Sequence, residues 1–281
     1  MIYVIFSDVL SVSVSDAGAE IVSVLYRGKE RSWQNENGTW AKHSPVLFPV
    51  CGNSQVILGG KNYNMSFHGF ARNSVFTCVK KTDDSAVFKL TYSEDTLLIY
   101  PFRFEYSIGY FIEGDTIRIE NTVINVGDRD MPFALGRHDS FSLSGDVSDY
   151  ELVFSESETF ISQKTAQNGK LINAFDDFGS GKILPLPADF LSDGRTVILK
   201  NVLSESVLLR SKKGEKKAEY FFGDIKNILL WRPQGANMIC IEPWSSLPDD
   251  DGDTREFGKG KEYFILPCGE SKKIDFAIKY Y

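Results

Sequence analysis

Apolar and polar residues alternate with a period of two along much of this chain. In "TIRIENTVINV" (116–126), Ile117, Ile119, Asn121 and Val123 share one face while Arg118, Glu120 and Thr122 share the other. This is the pattern of a strand with one buried side. The same reading predicts strands at 74–81, 86–93, 103–112, 196–202, 227–233 and 236–244. Turn-forming residues separate them at Gly59-Gly60, Glu113-Gly114-Asp115, Asn168-Gly169 and Asp193-Gly194. No stretch holds a helical period beyond about three turns. Many strands with hairpin-length connections, and no regular strand–helix alternation, predict a large all-β sandwich.

Composition narrows the function classes. The 281 residues contain no internal repeat, low-complexity tract or Pro/Ser-rich linker, so a single domain over 1–281 is expected. A net charge of −7 argues against binding nucleic acid or an anionic membrane. The N-terminal "MIYVIFSDVLSVSVS" is apolar but lacks a basic leader and is too short to span a bilayer, so a cytoplasmic location is expected. The four cysteines show no CxxC spacing and read as reduced thiols behaving as small apolar residues. No phosphate-binding loop or strand-to-helix GxGxxG occurs. The acidic run "DDDGD" (249–253) fails as a calcium loop. With Gly252 as the sixth position, the first and twelfth fall on Leu247 and Gly258, so a solvated loop is expected. Neither metal nor cofactor is expected.

Three stretches carry candidate chemistry. In "FHGFAR" (67–72), a glycine after His68 permits a tight turn, Phe67 and Phe70 offer an apolar floor, and Arg72 offers a planar donor fork. In "GRHDSF" (136–141), Asp139 beside His138 suggests an imidazole held protonated as an acid near neutral pH. A hydrogen-bonded structural histidine is the competing reading of both. In "MICIEPW" (238–244), an apolar run ends at Glu242, and Pro243 is expected to stop ladder donation beyond it. A carboxylate so placed is costly unless paired or used, and desolvation raises its pKa towards that of a useful base. Trp244 adds a flat face for sugar C–H groups.

Together these stretches resemble the aldose 1-epimerase (galactose mutarotase) family, in its LacX-like branch. The likeness runs in order through "RSWQNENGTWAKHSPVLFPVCG" (31–52), "HGFAR", "NTVINVGDRDMPFALGRHDSF" (121–141), "SDGRTVILKNVLSESVLL" (192–209), "LLWRPQGANMICIEPW" (229–244) and "EYFILPCGES" (262–271). It implies the galactose-mutarotase-like supersandwich of large twisted antiparallel sheets, and interconversion of the anomers of a free hexose. It further implies that Glu242 is the general base, His138 the general acid, and His68 a hydrogen-bonding group near the ring oxygen. Arg72 and Trp244 would line the pocket. The family's sugar-gripping arginine after the "FPxxG" glycine is replaced here by Asn53. Its sugar-binding aspartate falls on Asp193, with Asp189 close by. His43 matches nothing functional.

Two other readings stay open. A hexose-6-phosphate 1-epimerase needs cations facing the pocket mouth, for which Arg72, Arg103 and Arg137 are candidates. A non-catalytic carbohydrate-binding or sensing protein needs the pocket without its acid–base pair.

Overall fold

The computed structural model describes residues 1–36, 38–259 and 262–281. Nearly all regular structure is extended. The helical elements among the described residues are one short α-helix, Glu94–Ile99, and two 3₁₀ turns. A four-stranded meander of Ile2–Phe6, Leu10–Ser15, Ile21–Tyr26 and Lys29–Glu30 precedes a 15-stranded antiparallel sheet. That sheet runs from Val46–Leu47 through Gly136–Arg137, Met238–Trp244, Asn227–Trp231 and Val197–Leu199 to Tyr150–Thr165. It continues through Ser206–Ser211, Lys216–Phe221, Ser271–Tyr280, Thr116–Asn125, Phe104–Glu113 and Ser85–Thr91 to Thr77–Lys81.

The alternation is realised strictly where it was strongest. Along Thr116–Asn125 every second residue is buried, and Glu113-Gly114-Asp115 makes the hairpin to Phe104–Glu113. Asn121 occupies a core position because its amide is satisfied there: Tyr106 donates to it at 2.9 Å, and it donates to the Ile274 carbonyl at 3.0 Å. Ile5, Val12 and Val14 of the meander join Phe88, Tyr106 and Tyr110 of the large sheet in one core, with Tyr3 packed edge-on against Phe88 at 5.3 Å.

One expectation changes, in the acidic run. The strand Met238–Trp244 falls within the predicted 236–244. Pro243 removes one ladder donor opposite Arg137, whose carbonyl accepts from Trp244 Nε1 at 3.2 Å instead. The acidic run is not wholly solvated. Asp249 is buried, accepts from Gln55 N at 2.6 Å, and anchors the loop beside Leu171. The longest strands, Tyr150–Thr165 and Leu171–Pro185, form a hairpin whose tip carries Asn168-Gly169.

Candidate active site

The central strand Met238–Trp244 is buried along its whole length. Period-two alternation sends Ile239, Ile241 and Pro243 to one side, and Cys240, Glu242 and Trp244 to the other. The first set joins the main core through Ile239 and Ile241; of the second, Glu242 and Trp244 line a cavity of about 760 Å³, while Cys240 packs with Trp33, Ala236 and Met238. On the adjoining strands Gly136 faces Trp244 and Asp139 faces Ile241. This common register sets His138 directly across from Glu242 on the cavity side, the arrangement in which Cβ atoms lie about 4.5–5.5 Å apart. His138 Nε2 accordingly lies 3.3 Å from Glu242 Oε1, with side-chain exposures of 9% and 1%. A pair 104 residues apart in sequence is thus a nearest-neighbour pair of one sheet.

The same alternation corrects the reading of "GRHDSF". Arg137 and Asp139 point away from the cavity into the core. There the Arg137 Nε donates to Asp139 Oδ2 at 2.9 Å, Arg137 also donates to Tyr110 Oη at 3.1 Å, and Tyr220 donates to Asp139. Asp139 therefore does not hold His138 protonated. Burial, with a further contribution from Arg72, lowers the His138 pKa to about 3. Burial, then the Asp139 charge, raises that of Glu242 well above the usual carboxylate range. His138 Nδ1 and Glu242 Oε1 are buried and find no hydrogen-bond partner among the described residues. Burial thus disfavours the charged form of both groups.

His68 arrives from a different loop. Its φ of 66° and that of Gly69, 76°, are both left-handed. A Cβ on Gly69 would stand 2.1 Å from the Phe48 carbonyl oxygen, so only glycine lets the loop lie this close to that backbone. Gly52 N donates to His68 Nδ1 at 3.1 Å. Accepting at Nδ1 fixes the proton on Nε2. Burial, His138 and Arg72 hold the ring's pKa well below its ordinary value, so His68 is a neutral N–H donor. Its ring lies 5.7 Å from that of His138 and 5.1 Å from that of Trp244.

Arg72, on the 3₁₀ turn Ala71–Asn73, lines the same cavity, and its Nε has no hydrogen-bond acceptor among the described residues. Asp193 stands at the mouth, accepting from Arg195 N at 3.1 Å and Nε at 2.9 Å. The structure thus brings His68, Arg72, His138, Asp193, Glu242 and Trp244 together. Asn53 is not among the lining residues: its amide donates to the Asn168 carbonyl at 2.8 Å, tethering the hairpin tip. Asp189 belongs to a separate small cavity. Phe67 is a wall, but Phe70 turns into the core against Phe48 and Phe104. His43 is partly buried, its N–H donating to Glu20 Oε1 at 2.6 Å. The arginines considered for phosphate do not converge, since Arg137 is in the core and Arg103 lines another cavity beside Arg129.

Among the lining residues that sequence reasoning missed are two tryptophans. Trp40 stacks on His138 with ring centroids 5.0 Å apart, and Trp231 meets the same imidazole edge-on at 5.5 Å. Trp231 faces Cys240 across the ladder, so alternation in "NILLWRP" carried the signal once the pairing was known. Trp40 sits in an irregular loop and left no periodic trace.

The sequence profile described as "Aldose 1-epimerase" matches residues 1–258. The chromosomal LacX protein of Lactococcus lactis subsp. lactis is 29% identical over 287 aligned positions, covering 95% of both chains. A galactose mutarotase related enzyme from Lactobacillus acidophilus superposes with a TM-score of 0.93 at 27% identity, over 100% of this chain and 97% of that one. A galactose mutarotase-like protein from Lactobacillus casei ATCC 334 gives 0.92 at 27% identity, with both chains fully covered. The fold is accordingly the mutarotase-like assembly of large antiparallel sheets, and this chain belongs to the aldose 1-epimerase family.

Proposed function

We propose that this protein interconverts the α and β anomers of an unphosphorylated hexose by acid–base opening of the pyranose ring. The observation that carries the reading is the buried His138–Glu242 pair, 3.3 Å apart on the floor of a cavity large enough for a sugar. Anomer interconversion needs one group to take a proton and another to give one, with no net change. An ionised carboxylate beside a protonated imidazole supplies both. Glu242 takes the proton of the C1 hydroxyl while His138 delivers one to the ring oxygen. The C1–O5 bond breaks, the aldehyde forms, and rotation about C1–C2 presents its other face. Closure then reverses both transfers. His68 donates its Nε2–H near the ring oxygen, Arg72 offers Nε to a hydroxyl, and Trp244 with Trp40 and Trp231 gives apolar faces to C–H groups.

A free sugar is favoured over a hexose 6-phosphate because the cations near the cavity are not assembled for a phosphate. Arg195 is engaged by Asp193 and Asp176, and Arg137 by Asp139. A purely binding role leaves the acid–base pair unexplained.

Polarimetry on freshly dissolved α-D-glucose and α-D-galactose tests the reading. The protein accelerates the approach to equilibrium over buffer, and Glu242→Gln lowers that acceleration at least 100-fold, the scale of one positioned proton transfer. Sugar binding without acceleration by the unmodified chain makes it a binding protein instead. Undiminished turnover in Glu242→Gln removes the carboxylate from its role.

A further inference from the structure

We infer that the cavity floor is also a binding site for a thiophilic divalent cation of the Zn²⁺ class, held by His138, Cys240 and Glu242, and that its occupation silences the acid–base pair. Only the silencing rests on the function proposed above; the site stands on geometry. Cys240 lies two residues before Glu242 on the same strand, so its thiol shares Glu242's side of the sheet, behind the lining, among Trp33, Ala236 and Met238. One donor atom from each of the three residues lies within 4.8 Å of the others, and all three residues are buried. Among the described residues no other such trio of His, Cys, Asp and Glu occurs.

The spacing suits a small tetrahedral ion. Zinc bonds of about 2.0–2.1 Å to nitrogen and oxygen at tetrahedral angles separate those two atoms by about 3.3 Å. His138 Nε2 and Glu242 Oε1 are 3.3 Å apart. A zinc–sulfur bond of about 2.3 Å puts the sulfur about 3.6 Å from each, so a thiol within 4.8 Å reaches the position by a side-chain adjustment of about 1 Å. Glu242 Oε1 is a buried oxygen with no hydrogen-bond donor among the described residues, which a cation would satisfy. Thiolate, imidazole and carboxylate form a mixed donor set that zinc and cadmium accept, and binding expels the thiol proton. Three protein ligands leave a fourth position for water. The ion then holds the two atoms that exchange protons with the sugar, so the cation excludes the reaction.

The test uses the full chain with the two less buried thiols removed (Cys78→Ser/Cys268→Ser), titrated with Cd²⁺ in metal-free buffer. A near-ultraviolet thiolate-to-cadmium charge-transfer band is expected to saturate at one ion per chain and to be displaced by Zn²⁺. It is lost in Cys240→Ala and in Cys240→Val, the second variant guarding against a packing defect, and persists in Cys51→Ala. In parallel polarimetry, saturating Zn²⁺ lowers turnover at least 10-fold, a chelator restores it, and Cys240→Ala raises the Zn²⁺ needed at least 10-fold. A band that survives loss of Cys240, the absence of a band at one equivalent, or saturation without slowing overturns the inference. Normal turnover with no band leaves the mutarotase reading intact. Stoichiometric binding in a chain that never turns over sugar removes that reading and leaves the ion site.

Discussion

Removing the carboxylate of Asp139 separates two roles that the sequence alone confounds. In Asp139→Asn the Arg137 guanidinium stays in the core with no exposed surface, but loses the charge that its Nε and Nη2 contact. Breaking one side of a buried ion pair costs about 3–5 kcal/mol, because the remaining charge stays desolvated. For a chain of this size each kcal/mol moves the thermal midpoint by about 2 °C, so a fall of about 6–10 °C is expected by calorimetry or circular dichroism. The double substitution Arg137→Met/Asp139→Leu recovers most of that loss, since neither charge remains. Polarimetry well below the midpoint gives the second readout. Asp139 faces away from His138 and acts on the cavity only through its field on Glu242, so turnover in Asp139→Asn falls by less than about 10-fold. A change in midpoint below 2 °C would show that the pair is not buried as described. A 100-fold loss of turnover in a stable Asp139→Asn would restore the idea that this carboxylate keeps His138 charged.

The remaining expectations concern the walls of the cavity and the titration of its floor. Gly69→Ala combines a left-handed φ with a Cβ 2.1 Å from the Phe48 oxygen; urea unfolding should register a loss of at least about 2 kcal/mol, and activity should fall with it as His68 is displaced. Trp40→Ala removes the ring stacked on His138 and, at about 0.5–1.5 kcal/mol for an aromatic contact, lowers kcat/KM about 2- to 10-fold with little change in midpoint. Stability should fall as pH drops below about 6.5. Burial keeps His43, His68 and His138 below their ordinary pKa, so the unfolded chain binds more protons there, worth up to about 1.4 kcal/mol per pH unit for each. Glu242, whose pKa burial raises, opposes this, because the folded chain binds its proton more tightly than the unfolded chain does. Glu242→Gln should therefore show a steeper acid-side loss in denaturation midpoints measured between pH 6.5 and 5, and an unchanged slope would contradict the assignment.

The local pattern of the chain determined the all-β character, seven of the strands and several turns, because strand period and turn chemistry are properties of neighbouring residues; it left unmarked the strands of the N-terminal meander and of the long hairpin, Tyr150–Thr165 and Leu171–Pro185. It also marked His68, His138 and Glu242 as unusual, since each breaks an apolar or aromatic run. Alternation further contained the fact that Arg137 and Asp139 cannot share a face with His138, although residue adjacency suggested the opposite. What only the tertiary structure decided was register: which residue of Gly136–Ser142 stands across from Glu242, that Trp231 and Cys240 share its side, and that Asn53 spends its amide on Asn168. The first and last of those outcomes depend on contacts between segments about 100 residues apart, and the second on the pairing of Asn227–Trp231 with Met238–Trp244. Their free energy comes from burying one face of the whole sheet, which no local stretch of sequence encodes.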